Sequence, residues 1–315
     1  ISNGTYTKYY SNTVRDQHIK EASGTTRIKK TSNSYEFTSW WADANNKPIY
    51  DLMSFGKTFF AKHSLLNILT KYCVFTSDQM LLTMRPYQIV ATERVLQKIV
   101  MSENQKTLGT LDAGGYVWHT TGSGKTLTSF KTAQIASKMA SVDKVLFVVD
   151  RKDLDYQTMK EYDRFQEGAA NASNSTKQLK ERLEDSSAKI IITTIQKLSM
   201  FIAQNPNHAI QTKRVVLIFD ECHRSQFGDM HMAIKKAFSN YNLFGFTGTP
   251  IFAANSSSGN SANLRTTEQA FGVKLHTYTI VDAITDKNVL PFRVDYVNTI
   301  KLPEPLVDRE VSAID

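Results

Sequence analysis

The stretch Trp118-His119-Thr120-Thr121-Gly122-Ser123-Gly124-Lys125-Thr126 decides the fold. It follows a short apolar run at 116–118 and precedes a helix-like run over 127–139. Glycines between a strand and a helix let the backbone curl until its N–H groups surround phosphate oxygens. The helix N-terminus adds partial positive charge at the same place. With this spacing Lys125 reaches the β- and γ-phosphates of a nucleotide, and the Thr126 hydroxyl ligates Mg²⁺. Thr121, Gly122, Ser123, Gly124, Lys125 and Thr126 are therefore the expected nucleotide-contacting residues, with ATP and Mg²⁺ as the implied cofactors. The strict pattern has a further glycine where this chain has His119; the tight curl depends on the later Gly122, Gly124, Lys125 and Thr126.

On either side of this loop, short apolar runs alternate with helix-like segments. The runs lie at 116–118, 145–149, 190–192, 215–219 and 243–246. They are continuous rather than alternating, as in strands covered on both faces. About 30 residues separate the first two, the length of one strand–helix–strand unit. The expected class is α/β, a RecA-like P-loop domain on a mostly parallel sheet, with ligands at the carboxyl ends of the strands.

Directly after the run at 215–219 stands Asp220-Glu221-Cys222-His223. Adjacent carboxylates at a strand end repel one another, and a divalent cation offsets that cost. Asp220 is expected to hold Mg²⁺ through water and Glu221 to polarise the attacking water. Phosphoryl transfer needs mainly positioning and charge neutralisation. A third box, Phe246-Thr247-Gly248-Thr249-Pro250, ends another run. Taken alone it is a turn. In this company the Thr247 and Thr249 hydroxyls become candidates for relaying the state of the nucleotide.

The three boxes, in this order, resemble motifs I, II and III of superfamily 2 helicases and translocases. In detail, 119–126, 219–228 and 245–251 resemble the motor subunit of type I restriction endonucleases. Arg224-Ser225-Gln226 is the most specific part, and the resemblance covers most of 84–298. It implies ATP-dependent translocation on double-stranded DNA within a complex that also holds modification and specificity subunits. It implies that His223 links the γ-phosphate to the third box, and that Gln88, in Met84-Arg85-Pro86-Tyr87-Gln88, reads the adenine edge. Arg151 and Gln157, and Thr194, Gln196 and Lys197, would be the two motifs that touch the nucleic-acid backbone. A type III restriction enzyme or repair helicase is the nearer alternative. A non-catalytic nucleotide- or DNA-binding module is the more distant one, and the pairing of Lys125 with Asp220 and Glu221 speaks against it.

The remaining sequence sets bounds. The chain has 315 residues, 38 Lys and Arg against 30 Asp and Glu, a net charge of +8 and two cysteines. The charge suits a polyanionic partner without specifying one. The few cysteines fit a reducing cytoplasm. No apolar run approaches the roughly 20 residues that span a bilayer, so no membrane partner is expected. Residues 1–55 read as the remnant of an upstream nuclease domain and its connector, 56–300 as the first motor domain and 301–315 as a linker. A helix is expected over 55–72. Polar stretches at 168–176 and 253–267 read as surface loops. By the resemblance, the nuclease site belongs upstream, and a second motor domain with an arginine finger belongs downstream. The isolated piece would then hydrolyse ATP slowly.

Overall fold

The computed structural model describes residues 1–23, 37–149, 160–165, 171–172, 175–222, 229–252 and 266–293. The polar start of the chain forms strand β1 (Lys8–Tyr9), helix α1 (Asn12–Ser23) and strand β2 (Ser39–Trp40), with β1 and β2 antiparallel. Helices α2 (Leu52–Phe59) and α3 (Lys62–Thr70) follow, then the hairpin β3 (Cys73–Phe75) and β4 (Leu81–Thr83). The single helix expected over 55–72 is thus two. Ala61 turns extended, with ψ 134°, and starts α3 afresh.

Helix α4 (Pro86–Asn104) leads to strand β5 (Gly115–His119), α5 (Lys125–Ala136), β6 (Lys144–Val149), β7 (Asn171–Ala172), α6 (Thr176–Glu184) and β8 (Ile190–Thr194). Next come α7 (Ile195–Gln204), β9 (Val215–Asp220), α8 (Asp229–Ala237), β10 (Tyr241–Thr247), α9 (Thr267–Phe271), β11 (Lys274–Tyr278) and α10 (Ile280–Thr285). Proline is tolerated at the start of α4 because the first turn of a helix has no partner for its N–H groups.

Among the described residues, seven strands form one parallel sheet in the order β11-β5-β10-β9-β6-β8-β7. All five expected runs are strands of it. Alternate residues of β6 show why those runs are continuously apolar. Val145, Phe147 and Val149 join a core with α4 and α5, through Val95, Ile99 and Phe130. Leu146 and Val148 join the opposite core with Leu183 of α6, Leu198 of α7 and Ile234 of α8. Both faces being covered, every position from Val145 to Val149 is apolar, and the charged Lys144 stands at the strand's start.

Within 168–176, expected as a loop, Asn171 and Ala172 instead pair with Ile191 and Ile192 as an edge strand, and Thr176 already begins α6. Main-chain pairing with a formed neighbour overrides the weak strand preference of Asn and Ala. Of the second polar stretch, 253–265 lies outside the described residues, and Thr266 and Thr267 cap and open α9. The 301–315 stretch also lies outside them. Among the described residues no helix is long and apolar enough to cross a membrane.

Candidate nucleotide site

Parallel pairing places the strand ends bearing the three boxes side by side, since β10 lies between β5 and β9. Its last residue, Thr247, is level with Trp118, and Phe246 with Asp220. The boxes therefore meet at the carboxyl edge of the sheet, where such folds bind ligands.

The loop after β5 is closed by its own contacts. Gly122 and Gly124 adopt φ of 80° and 76°, a left-handed region that costs other residues energy. At Gly124 a Cβ would also stand 2.7 Å from Nε2 of Gln88. The Ser123 hydroxyl donates to the carbonyl of Thr120 at 2.6 Å. From below, the Tyr87 hydroxyl donates to the Ser123 carbonyl at 2.7 Å. Gln88 Nε2 donates to the carbonyls of Ser123 and Gly124 at 3.1 and 3.2 Å. Its Oε1 accepts from the Arg85 N–H at 2.9 Å. Both hydrogens of the Gln88 amide are thus engaged by the loop. The sequence could not show this bracing role, because it depends on how α4 lies beneath the loop.

Lys125 is 8% exposed and its Nζ lies 3.3 Å from Oε1 of Glu221. One ion pair therefore joins the phosphate loop to the acidic box. Glu221 takes φ 44°, unusual for a residue with a side chain, and its N–H donates to Oδ1 of Asp220 at 3.0 Å. Burial, and then the negative charge of Glu221, push the Asp220 carboxyl up to about 6, against the opposing pull of Lys125. A carboxylate held back in this way is short of positive charge, which is the condition a divalent cation relieves. Thr126 is half-buried in the first turn of α5. His223 lies outside the described residues.

Beneath the loop sits a polar knot that the sequence did not reveal. His119, fully buried, meets His276 of β11 with Nε2 2.9 Å from Nδ1. Burial drives His119 well below the usual histidine range, with His276 and then Lys125 adding to the effect, and burial holds His276 at about 4. Both rings are neutral at ordinary pH. The rings of Tyr87 and Tyr278 stack beside them with centroids 3.6 Å apart. Because β11 lies at the sheet edge and mixes polar with apolar residues, only its place beside His119 identifies His276 as part of the site.

The third box touches the first. The indole of Trp118 donates to the Gly248 carbonyl at 3.1 Å. A Cβ at Gly248 would stand 3.3 Å from Oγ1 and 3.4 Å from N of Thr121. Thr247 is buried and its hydroxyl accepts from the Thr249 N–H at 3.1 Å, while Thr249 is exposed. On the other side of the sheet edge, Thr194 is 1% exposed and its hydroxyl caps α7 by accepting from the Lys197 N–H at 3.2 Å. Gln196 is exposed and Lys197 half-buried. Arg151 and Gln157 lie outside the described residues.

A parallel sheet whose phosphate loop faces an acidic pair across one ion pair defines a RecA-like P-loop nucleotide hydrolase. The SWI2/SNF2 ATPase family model matches residues 87–314. The chain is 45% identical over 304 residues to the endonuclease subunit of type I restriction enzyme SauMSSORF170P of Staphylococcus aureus strain MSSA476, covering 96% of this chain and 30% of that protein. It is 50% identical over 204 residues to the C-terminal part of the type I restriction enzyme MpnIIP endonuclease subunit of Mycoplasma pneumoniae, covering 63% of this chain and 99% of that protein. Among solved structures, the DNA-bound ATP-dependent Type ISP restriction-modification enzyme LlaBIII aligns with 66% of this chain and 16% of its own, at 17% identity and a TM-score of 0.45. The chain belongs to the SWI2/SNF2 ATPase family and, within it, to the endonuclease subunits of type I restriction enzymes. It spans 30% of the length of the staphylococcal relative.

Proposed function

We propose that this chain is the ATP-hydrolysing half of a motor that moves double-stranded DNA through a type I restriction enzyme and leads to its cleavage. The observation that carries the reading is the 3.3 Å pair between Lys125 and Glu221, which sets a phosphate-binding ammonium against a water-orienting carboxylate. In it Thr121, Gly122, Ser123, Gly124 and Lys125 surround the phosphates, and Gln88 takes part by holding the loop in shape. Thr126 and Asp220 would hold Mg²⁺, a fit supported by the raised Asp220 carboxyl. A bound Mg²⁺ neutralises charge on the phosphates. Glu221 then needs only to orient water, since positioning and electrostatics dominate phosphoryl transfer. His223, Thr247 and Thr249 couple the γ-phosphate to the motor's movement.

Double-stranded DNA is the proposed track, contacted through its backbone by Arg151, Gln157, Gln196 and Lys197, with Thr194 shaping the turn that presents the last two. The modification and specificity subunits are the proposed partners and the cytoplasm the proposed location. Residues 1–55 form the edge of the nuclease part, 56–300 the first motor domain and 301–315 the link to the second. The test is Glu221→Gln in the full-length subunit. It should keep ATP binding and lose turnover, because the amide keeps the shape but not the charge that orients water. Near-normal hydrolysis by that variant overturns the assignment.

A further inference from the structure

Strand β11 is an edge of the sheet, so it has main-chain acceptors that no neighbouring strand takes. Side chains take two of them. Arg94 of α4 donates to the Leu275 carbonyl at 2.7 Å. Asn46 Nδ2, 231 residues upstream of its acceptor, donates to the Thr277 carbonyl at 2.8 Å. Asn46 stands in a closed turn. Asp43 Oδ1 accepts from the N–H groups of Asn45 and Lys47 at 2.8 and 2.9 Å, and the Asp43 N–H donates to the Lys47 carbonyl at 3.0 Å. Asn46 itself has φ 63°, a left-handed conformation that asparagine adopts more readily than most residues. The same turn reaches His276. The main chain of Ala44 is hydrogen-bonded to that ring in the sense that favours its protonation, so the ring donates to the Ala44 carbonyl. Its Nδ1 then accepts from Nε2–H of His119, the 2.9 Å contact beneath the phosphate loop.

From this chain of contacts we infer that the turn at 43–47 positions the phosphate loop. Asn46 and Ala44 hold β11, β11 holds His276 against His119, and His119 fixes the root from which the loop departs. Asn46 and His276 are thus positioning residues for a site they do not touch. The inference rests on the nucleotide site proposed above and concerns what shapes it. Two features lead there. The turn precedes the 87–314 span that the ATPase family model matches, yet its contacts converge on the one strand that pairs with β5 from outside. A buried imidazole pair is also a costly way to fill a core, since each ring nitrogen must be satisfied where apolar side chains need nothing. What the pair adds over apolar packing is direction. The Thr120 N–H, the first of the loop, donates to the Tyr278 carbonyl at 2.9 Å, so any slip of β11 moves the loop with it.

Calorimetric titration of the 315-residue chain with MgATP and with magnesium tripolyphosphate tests this, at a temperature where urea curves show each variant folded. Asn46→Gly keeps the left-handed turn and removes only the side chain. It should weaken both ligands about two- to tenfold, the effect of one lost hydrogen bond. His276→Leu should weaken both to a similar extent. His276→Asn, whose amide oxygen offers an acceptor where Nδ1 stood, should recover most of that loss. Unchanged affinity for both ligands in Asn46→Gly overturns the inference, even with a lower urea midpoint, since the turn would then only stabilise the fold. Weakening of MgATP alone overturns it too, because the effect would lie away from the phosphates. So does a His276→Asn variant that binds no better than His276→Leu. Lys125→Ala reports separately on the phosphate site. If it fails to weaken either ligand, the proposed nucleotide site itself is wrong, whatever Asn46 and His276 do.

Discussion

Replacing Gly124 with Ala should damage the phosphate loop in two separable ways. The residue sits at φ 76°, and a left-handed conformation costs a residue with a Cβ about 1–2 kcal/mol. The new methyl also meets Gln88 Nε2 at 2.7 Å, so the amide must swing away from the carbonyls of Ser123 and Gly124. Each bond lost there removes about 0.5–1.5 kcal/mol. The expected total is about 2–5 kcal/mol of stability. In a Gln88→Ala background the steric part is already gone, and only the conformational cost of about 1–2 kcal/mol remains. A double-mutant cycle measured by urea denaturation should therefore give a coupling of about 1–3 kcal/mol between positions 88 and 124. Equal costs in both backgrounds would refute the idea that Gln88 braces this loop.

Further outcomes follow from other contacts. Lys125→Ala should weaken ATP about ten- to hundredfold by removing a charge-assisted phosphate contact, read by calorimetry. Acid should unfold the domain through its buried histidines. His231 and His276 take protons near 4 when folded, against 6.5 for the free side chain. The unfolded chain therefore binds more protons between those values, and stability falls as the pH drops from 6.5 towards 4. The slope is about 1.4 kcal/mol per pH unit for each histidine, and His231→Phe should flatten urea midpoints measured across that window. Lys144, nearly buried, donates to the carbonyls of Asp185 and, at 2.7 Å, of Ala188. Lys144→Met should cost about 1.5–3 kcal/mol because those acceptors lose a charged donor, seen as a lower urea midpoint.

What the sequence made legible was whatever burial writes into composition. The run Val145–Val149 had to be a strand with both faces covered, and the runs before Lys125 and Asp220 put their charged residues at strand ends. The strand Lys274–Tyr278 escaped notice because it lies at the sheet edge and begins with an exposed lysine. The edge pair at Asn171 and Ala172 was hidden in a polar stretch for the same reason: main-chain pairing leaves no mark on side-chain type. Site chemistry divides similarly. Lys125, Asp220 and Glu221 announce themselves by type and spacing. Long-range neighbours do not: His276 against His119 and the amide of Gln88 turned into the loop each depend on three-dimensional placement. Nor could the left-handed turn at Glu221 be read, since glutamate seldom adopts it.

The first and third boxes approach so closely that glycine is the residue that fits between them without a shift. Gly248 lies so near Thr121 that even a methyl group would be crowded, and the indole of Trp118 holds its carbonyl from the strand below. Close-packed groups do not deform gradually; they shift from one arrangement to another. On the proposed reading, a phosphate that reshapes the loop at Thr121 would press on the backbone at Gly248. In that reading the two boxes would work as a latch and its keeper, a small movement on one side drawing the other with it.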